Sequence, residues 1–384
     1  MGRSATATTL TNARLVTPEG VRAGWLRWEG TRISELGTGA APRATGPVVD
    51  AGGRWVLPGL VDIHIHGGKG AAFTAADPER IMTVVGFNRA HGVTTLVGGL
   101  VSASPEDTLR QVTALAEVAE AGEIAGIYLE GPYISAAKCG AHDPGLLRDP
   151  DLAEFDRVLK AGRGHIRMIT VAPELPGALD LIRAAAAEGV VAAVGHTDAD
   201  YDRTRAAIDA GATVATHVYN QMRPLRHRDP GPIAAVLNDD RVTVELINDG
   251  VHVHPGAAQL VFDAAGADRV ALVTDAMDAT GLGDGEYTLG KLRVRVADGQ
   301  ARLVSTGAIA SSTIVLPDAV RRAVHRVGVS VEAAARSASA VPARALALPD
   351  VGSLTPGNHA DLLILDDDLA PAATVHRGSW IRPL

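Results

Sequence analysis

A short apolar run rich in β-branched residues, a polar residue at its end and then a helical stretch recur eight times along this chain. The runs cover residues 60–66, 93–97, 124–130, 166–171, 190–196, 212–217, 242–247 and 270–275. Strands this apolar have to be buried on both faces, as parallel strands covered by helices are. The stretches between them carry helix signals. In Ser104-Pro105-Glu106-Asp107 a capping serine precedes a proline at the first helical position, Asp107 completes a capping box, and Gly122 marks the stop. Asp77-Pro78-Glu79 opens another helix that ends near Gly92, and residues 317–328 read as a further one. Eight such units in about 250 residues have the size of a (β/α)8 barrel. The rival is a doubly wound open sheet. Against it, no Gly-x-Gly-x-x-Gly follows the first run, and polar residues close nearly every run instead of gathering at one switch point. The expected fold class is therefore α/β, with a TIM-type barrel.

The two ends of the chain read differently. Residues 7–55 and 351–382 hold short alternating strands with turn signals, such as Trp25-Leu26-Arg27-Trp28 before Glu29-Gly30-Thr31, and Leu362-Leu363-Ile364-Leu365. Neither piece has enough strands to stand alone. The expectation is one small discontinuous β-sandwich built from both termini, with residues 1–56 and 350–384 flanking a barrel over 57–349. Tyr287, Leu289, Leu292, Val294 and Val296 nearly alternate, which predicts a β-hairpin insertion near 284–304.

Composition narrows the function classes. Apolar residues make up 46% of the 384, enough for a large core and too many for a disordered chain. The net charge is −8 and aromatics are 3%, with no basic stripe, which argues against nucleic acid as a partner. Cys139 is the only cysteine, so disulfides within the chain and thiolate metal clusters are excluded, and a reducing compartment fits. Met1-Gly2-Arg3-Ser4-Ala5-Thr6 lacks the apolar core of a secretory signal, and its match to an acyl-glycine pattern is short enough to be chance. No apolar run nears the roughly 20 residues of a membrane helix. A cytoplasmic protein without membrane contact is expected.

The chemistry concentrates where the runs end. In Asp62-Ile63-His64-Ile65-His66-Gly67, alternation points His64 and His66 the same way, toward one mouth of the barrel. Taken alone, such a pair is equally compatible with two hydrogen-bonded core histidines. It does not stand alone, because Glu130, His196, His217 and Asp275 close the third, fifth, sixth and eighth runs. A carboxylate directly after apolar residues, as at Glu130, needs a partner or a ligand. Imidazole and carboxylate without thiolate suit a divalent metal such as Zn²⁺, Fe²⁺, Mn²⁺ or Co²⁺. Such an ion lowers the pKa of a water to about 7, which suits hydrolysis. Asp275 is then the natural catalytic proton shuttle.

At this point the chain resembles the amidohydrolase superfamily and, within it, the N-acetylglucosamine-6-phosphate deacetylases. The resemblance rests on the sequence Pro58-Gly59-Leu60-Val61-Asp62-Ile63-His64-Ile65-His66-Gly67 and on Leu129-Glu130-Gly131-Pro132-Tyr133. It continues through Gly140-Ala141-His142, Gly195-His196-Thr197, Thr216-His217-Val218-Tyr219-Asn220, Asp249-Gly250-Val251-His252 and Leu272-Val273-Thr274-Asp275-Ala276. It implies Glu130, His196 and His217 as ligands of the principal metal, and Asp275 as the acid/base. It also implies Ala141, His142, Asn220, Gln221, Arg228, His252, Ile309, Ala310 and Ser311 as contacts of an amino-sugar phosphate. A homodimer is implied too, with Arg228 reaching a neighbouring subunit's substrate. Two positions depart from the family, Gln221 where Ala is frequent and Ser311 where Gly is usual. Serine at the latter adds a hydroxyl and restricts φ.

Three other functions compete with this one. The substrate could be the galacto epimer, since the orientation of one hydroxyl is not legible in the residues. A non-catalytic sugar-phosphate-binding barrel would be expected to lose Asp275 or a ligand, and this chain keeps them all. A cyclic-amide hydrolase would place a carboxylated lysine at the fourth strand, but Lys69, Lys138, Lys160 and Lys291 end no barrel strand. Whether one ion binds or two turns on His64 and His66, and a second, weaker site there is the expectation.

Overall fold

Eight parallel strands, hydrogen-bonded in sequence order, form the barrel: Leu60–Ile65, Val93–Val101, Gly126–Glu130, Ile166–Val171, Val191–Val194, Ala212–Ala215, Thr243–Ile247 and Val270–Val273. The computed structural model describes residues 7–44 and 46–384, so the opening Met1–Thr6 stretch and the reading made of it lie outside the described residues. Nearly every strand position is buried, as expected of strands packed on a side-chain interior and covered by helices. The seam between first and last strands closes through Asp275 N to His64 O at 2.8 Å and His66 N to Ala276 O at 2.9 Å. Asp62 also bridges it, accepting from Thr274 Oγ1 at 2.6 Å. Burial pushes the Asp62 carboxyl up to about 7, against the opposing pull of the Thr274 hydroxyl.

The helix signals are realised by the atoms they implied. Asp77 caps Pro78–Ala90 by accepting from Arg80 N, and Ser104 caps Pro105–Glu120 by accepting from Asp107 N. The helix expected over 317–328 runs as Leu316–Arg322 and then one wider turn, Ala323–Val327, and Gly328 at φ +88° ends it.

Both ends of the chain contribute to one continuous eight-stranded sheet. Leu362–Leu365 pairs antiparallel with Trp55–Pro58, and that strand lies parallel to Thr8–Thr17. The small sandwich takes the form of this single sheet folded over. Trp28 near one end donates from Nε1 to Gly378 O at 3.0 Å and meets Trp380 edge-on at 6.1 Å. Leu10, Leu26, Ile33, Val56, Leu362, Ile364 and Val375 fill the interior.

The insertion differs from the expected hairpin. It is a three-stranded meander, Gly285–Leu289, Leu292–Ala297 and Gln300–Leu303. The third strand forms because Asp298 and Gly299 turn the chain with positive φ, and Ala301 and Leu303 then bury beside Val294 and Val296. Among the described residues no helix is long and apolar enough to cross a membrane.

Candidate active site

The polar residues that end the runs do not all end strands. Glu130 is the last residue of its strand, but the fifth, sixth and eighth strands stop at Val194, Ala215 and Val273. His196, His217 and Asp275 each stand two residues further on, at φ +46°, +26° and +47°. A left-handed backbone at a residue with a Cβ costs roughly 1–2 kcal/mol. Three such residues around one point are strain held in place by the surrounding fold. Each turns its side chain back over the barrel mouth where a regular strand would carry it away.

There the groups meet. Glu130 Oε1 lies 3.0 Å from His196 Nε2 and 3.0 Å from His217 Nε2, and the two nitrogens are themselves 3.0 Å apart. Glu130 Oε2 lies 3.0 Å from His66 Nε2 and 3.6 Å from His142 Nε2. Asp275 Oδ1 lies 3.3 Å from His66 Nε2 and 3.7 Å from His64 Nε2. The strand-1 histidines arrive together as alternation predicted, although the register with the next strand shifts between Asp62 and Ile65.

These distances suit a shared cation better than a set of proton bridges. Two Nε2 atoms 3.0 Å apart can hold at most one hydrogen between them, and His64 Nε2 and both His66 nitrogens are buried without hydrogen-bond partners. His64, His66, Glu130 and Asp275 form one ligand group, and Glu130, His142 and His196 form another, with Glu130 common to both. Imidazole nitrogen and carboxylate oxygen are the donors a divalent metal takes.

Outer contacts aim the rings. His196 Nδ1 meets Lys138 O at 2.8 Å, His142 Nδ1 meets Ser102 Oγ at 2.9 Å, and His64 Nδ1 meets Glu245 Oε2 at 2.8 Å. The Lys138 carbonyl and the Glu245 carboxylate hold hydrogens on Nδ1 of His196 and His64 and leave their Nε2 lone pairs facing the site, whereas His142 Nδ1 also accepts from Ser102 N at 3.3 Å, which puts its hydrogen on Nε2. Below them a buried hydroxyl chain links Tyr128, Thr170 and Thr216 at 2.7 Å per step. Glu245 and Ser102 were missed from the sequence. The signal for Glu245 was present, a carboxylate inside the apolar run Thr243-Val244-Glu245-Leu246-Ile247, and it is the same signal that singled out Glu130.

Burial works against charge on Glu130, yet His64 and the three nearby imidazoles hold its carboxyl well below the usual range. Asp275 is likewise lowered, burial being outweighed by the close approach of His66 Nε2 at 3.3 Å and by the His64 charge. Asp275 and Glu130 raise His66 to about 9, and Glu245 and Glu130 raise His64 well above its ordinary value, both against burial, while burial lowers His142 and His217. A divalent cation competes for these positions with the protons, because imidazole ligates only when neutral.

The cluster floors a cavity of about 340 Å³. Of the expected sugar contacts, Ala141, His142, Asn220, Gln221, His252, Ile309 and Ser311 line it. Ala310 is fully buried beside it, and Arg228 is exposed on its loop and lines no part of it. Ser311 sits at φ +66°, a conformation that favours glycine, and its hydroxyl reaches Asp275 Oδ1 at 3.3 Å. His252 is anchored by Asp249, whose Oδ2 lies 2.7 Å from Nδ1. Val101, Leu289 and Arg302 complete the wall, the last two from the meander.

A TIM-type barrel with a buried imidazole–carboxylate cluster at the C-terminal ends of its strands defines a metal-dependent hydrolase. Residues 55–381 match the amidohydrolase family, and the chain belongs to it. Its relatives include an N-acetylgalactosamine-6-phosphate deacetylase of Escherichia coli O157:H7, 36% identical over 93% of this chain and 94% of that protein. An N-acetylglucosamine-6-phosphate deacetylase of Vibrio furnissii is 37% identical over 85% of this chain and 82% of its own. Among solved structures, a mutant N-acetyl-D-glucosamine-6-phosphate deacetylase of Mycobacterium smegmatis in complex with N-acetyl-D-glucosamine-6-phosphate superposes with a TM-score of 0.95. It is 46% identical, over 99% of this chain and all of that one.

Proposed function

We propose that the protein hydrolyses the acetamide of N-acetyl-D-glucosamine 6-phosphate to D-glucosamine 6-phosphate and acetate. The observation that carries this is the buried imidazole–carboxylate cluster, with His64 Nε2 and both His66 nitrogens left without partners, at the floor of a cavity whose wall holds Asn220, His252, Ile309 and Ser311. Glu130, His196 and His217 would hold the principal divalent ion, for which zinc suits the donor set and iron, manganese and cobalt are alternatives. When bound, it supplies a Lewis acid for the acetamide carbonyl and acidifies the attacking water. His64 and His66, with Glu130 and Asp275, offer a second and weaker position, since two adjacent cations repel.

Asp275 takes the proton of the attacking water and delivers it to the departing amine. His142, held by Ser102, donates toward the carbonyl oxygen. His252 faces the phosphate. Arg228, exposed and outside its own cavity, serves the phosphate of a neighbouring subunit in a homodimer. The lone Cys139 fits a cytoplasmic setting for such an enzyme. Residues 57–349 form the catalytic unit, and 1–56 with 350–384 its supporting sheet.

Acetate release from matched gluco and galacto 6-phosphates and from unphosphorylated N-acetylglucosamine, with metal analysis of the same sample, tests this reading. A clear preference for the gluco 6-phosphate supports it, and equal rates with and without phosphate overturn the phosphate assignment. The galacto epimer is the second reading, favoured by the 36% identity to the E. coli galactosamine enzyme.

A further inference from the structure

The left-handed turns at His196, His217 and Asp275 are each met by a carboxylate from a neighbouring element. Glu245 accepts from His217 N at 3.2 Å. Asp62 accepts from Thr274 Oγ1 at 2.6 Å and from Thr274 N at 3.4 Å, one residue before Asp275. The third carboxylate stands outside the cluster. Glu174, three residues beyond the end of the fourth strand, accepts from Thr197 Oγ1 at 2.5 Å and from Asp198 N at 2.6 Å. Thr197 and Asp198 are the two residues that follow His196.

The turns at His196 and Asp275 match closely. In each, a fully buried threonine beside the left-handed residue gives its hydroxyl to the carboxylate and accepts from an amide two residues on, Ala199 N at 3.0 Å and Ala276 N at 3.2 Å. Hydrogen bonds to a carboxylate are stronger than those between neutral groups. A residue with a Cβ stays in the left-handed region only while its surroundings hold it there. If the turn at His196 relaxes, the ring loses its place with Nε2 3.0 Å from Glu130 Oε1. Glu174 itself lines no part of the mouth cavity, so its carboxylate serves the turn and not the substrate.

We propose that Glu174 is a positioning residue of the metal site, holding the strained turn that carries His196 and so setting how tightly the principal ion is bound. The inference rests on the metal site proposed above and extends it to a residue that is neither a ligand nor a substrate contact. Partners of this outer kind orient the groups that ligate, and their loss is felt in metal affinity.

The test is competition for zinc between the zinc-loaded full-length protein and a chelator, read as the dissociation constant of the last ion to leave. In Glu174→Gln the carboxamide keeps one acceptor and turns an N–H toward the other donor, so affinity falls by about tenfold. Thr197→Val deletes the hydroxyl, keeps the shape and also lowers affinity by about tenfold. Both changes break the same contact, so the double variant is weakened far less than the product of the two. Affinity in Glu174→Gln within about twofold of the wild type overturns the inference, even if the melting temperature falls, because a brace of the fold alone moves only the latter. Losses that multiply in the double variant overturn it too. Thr197→Val carries the test if Glu174→Gln fails to fold. A wild type that holds no zinc overturns the metal site and this inference with it; a wild type that holds zinc, with variants that match it, overturns only the part assigned to Glu174.

Discussion

The barrel mouth and the folded terminal sheet are both well buried, yet they are built on opposite terms. The sheet encloses Leu10, Leu26, Ile33, Val56, Leu362, Ile364 and Val375, apolar side chains that gain by leaving water. The mouth encloses five histidines, Glu130 and Asp275 within a few ångströms, leaves several of their atoms without partners, and holds His196, His217 and Asp275 at left-handed φ. A fold does not arrive at such a cluster by minimising its own free energy. The difference teaches that stability is supplied away from the mouth, and that the mouth is arranged for something it binds.

The largest expected effect separates chemistry from stability. Asp275→Asn keeps the size of the side chain but cannot accept a proton, so turnover falls by about 10²–10⁴. The principal ion at Glu130, His196 and His217 and the melting temperature should hardly move, whereas the weaker second ion, which Asp275 helps to hold, should be bound less well. Near-normal turnover in a metal-loaded variant would reject Asp275 as the shuttle and weaken the contrast.

The mirror experiment is in the sheet. Leu26 is wholly buried, and Leu26→Ala should destabilise the protein by about 2–5 kcal/mol, through lost burial and the cavity left behind. Turnover per folded molecule at low temperature should stay within twofold. A parallel loss of turnover and stability would show the two regions to be coupled.

Glu245→Gln probes the aiming of His64. The amide weakens the contact with His64 Nδ1, now 2.8 Å, and cation affinity should fall by about 10–100-fold. Metal retained through dialysis against a weak chelator reads this directly. The more weakly held ion should leave first, and a stoichiometry of one in the saturated wild type would remove the second position.

The smallest effect is at Ser311. Ser311→Gly relieves the φ of +66° and deletes the 3.3 Å contact with Asp275. One hydrogen bond at this level is about 1 kcal/mol, so turnover should drop by roughly threefold to tenfold. The melting temperature is expected to move little, because the strain relieved offsets the greater freedom of glycine in the unfolded chain. An unchanged rate would show that the serine hydroxyl plays no part in holding Asp275.

Much of this was legible in the residues. Eight apolar runs with helix signals between them required strands covered on both faces, and the caps at Asp77 and Ser104 form as their residue types imply. Hydrophobic period and capping chemistry are local, so the order of residues determines them. Likewise, Glu130, His196, His217 and Asp275 drew notice because charged or titratable side chains stood at the ends of apolar runs. Only the tertiary structure decided how those groups meet. The left-handed φ at His196, His217 and Asp275, the 3.0 Å contacts at Glu130, and the approach of Glu245 to His64 from 181 residues away arise when the barrel closes. The folding-over of the terminal sheet and the third strand of the meander belong to the same class. Pairing partners far apart in sequence are chosen by which surfaces bury together, and no local pattern records that choice.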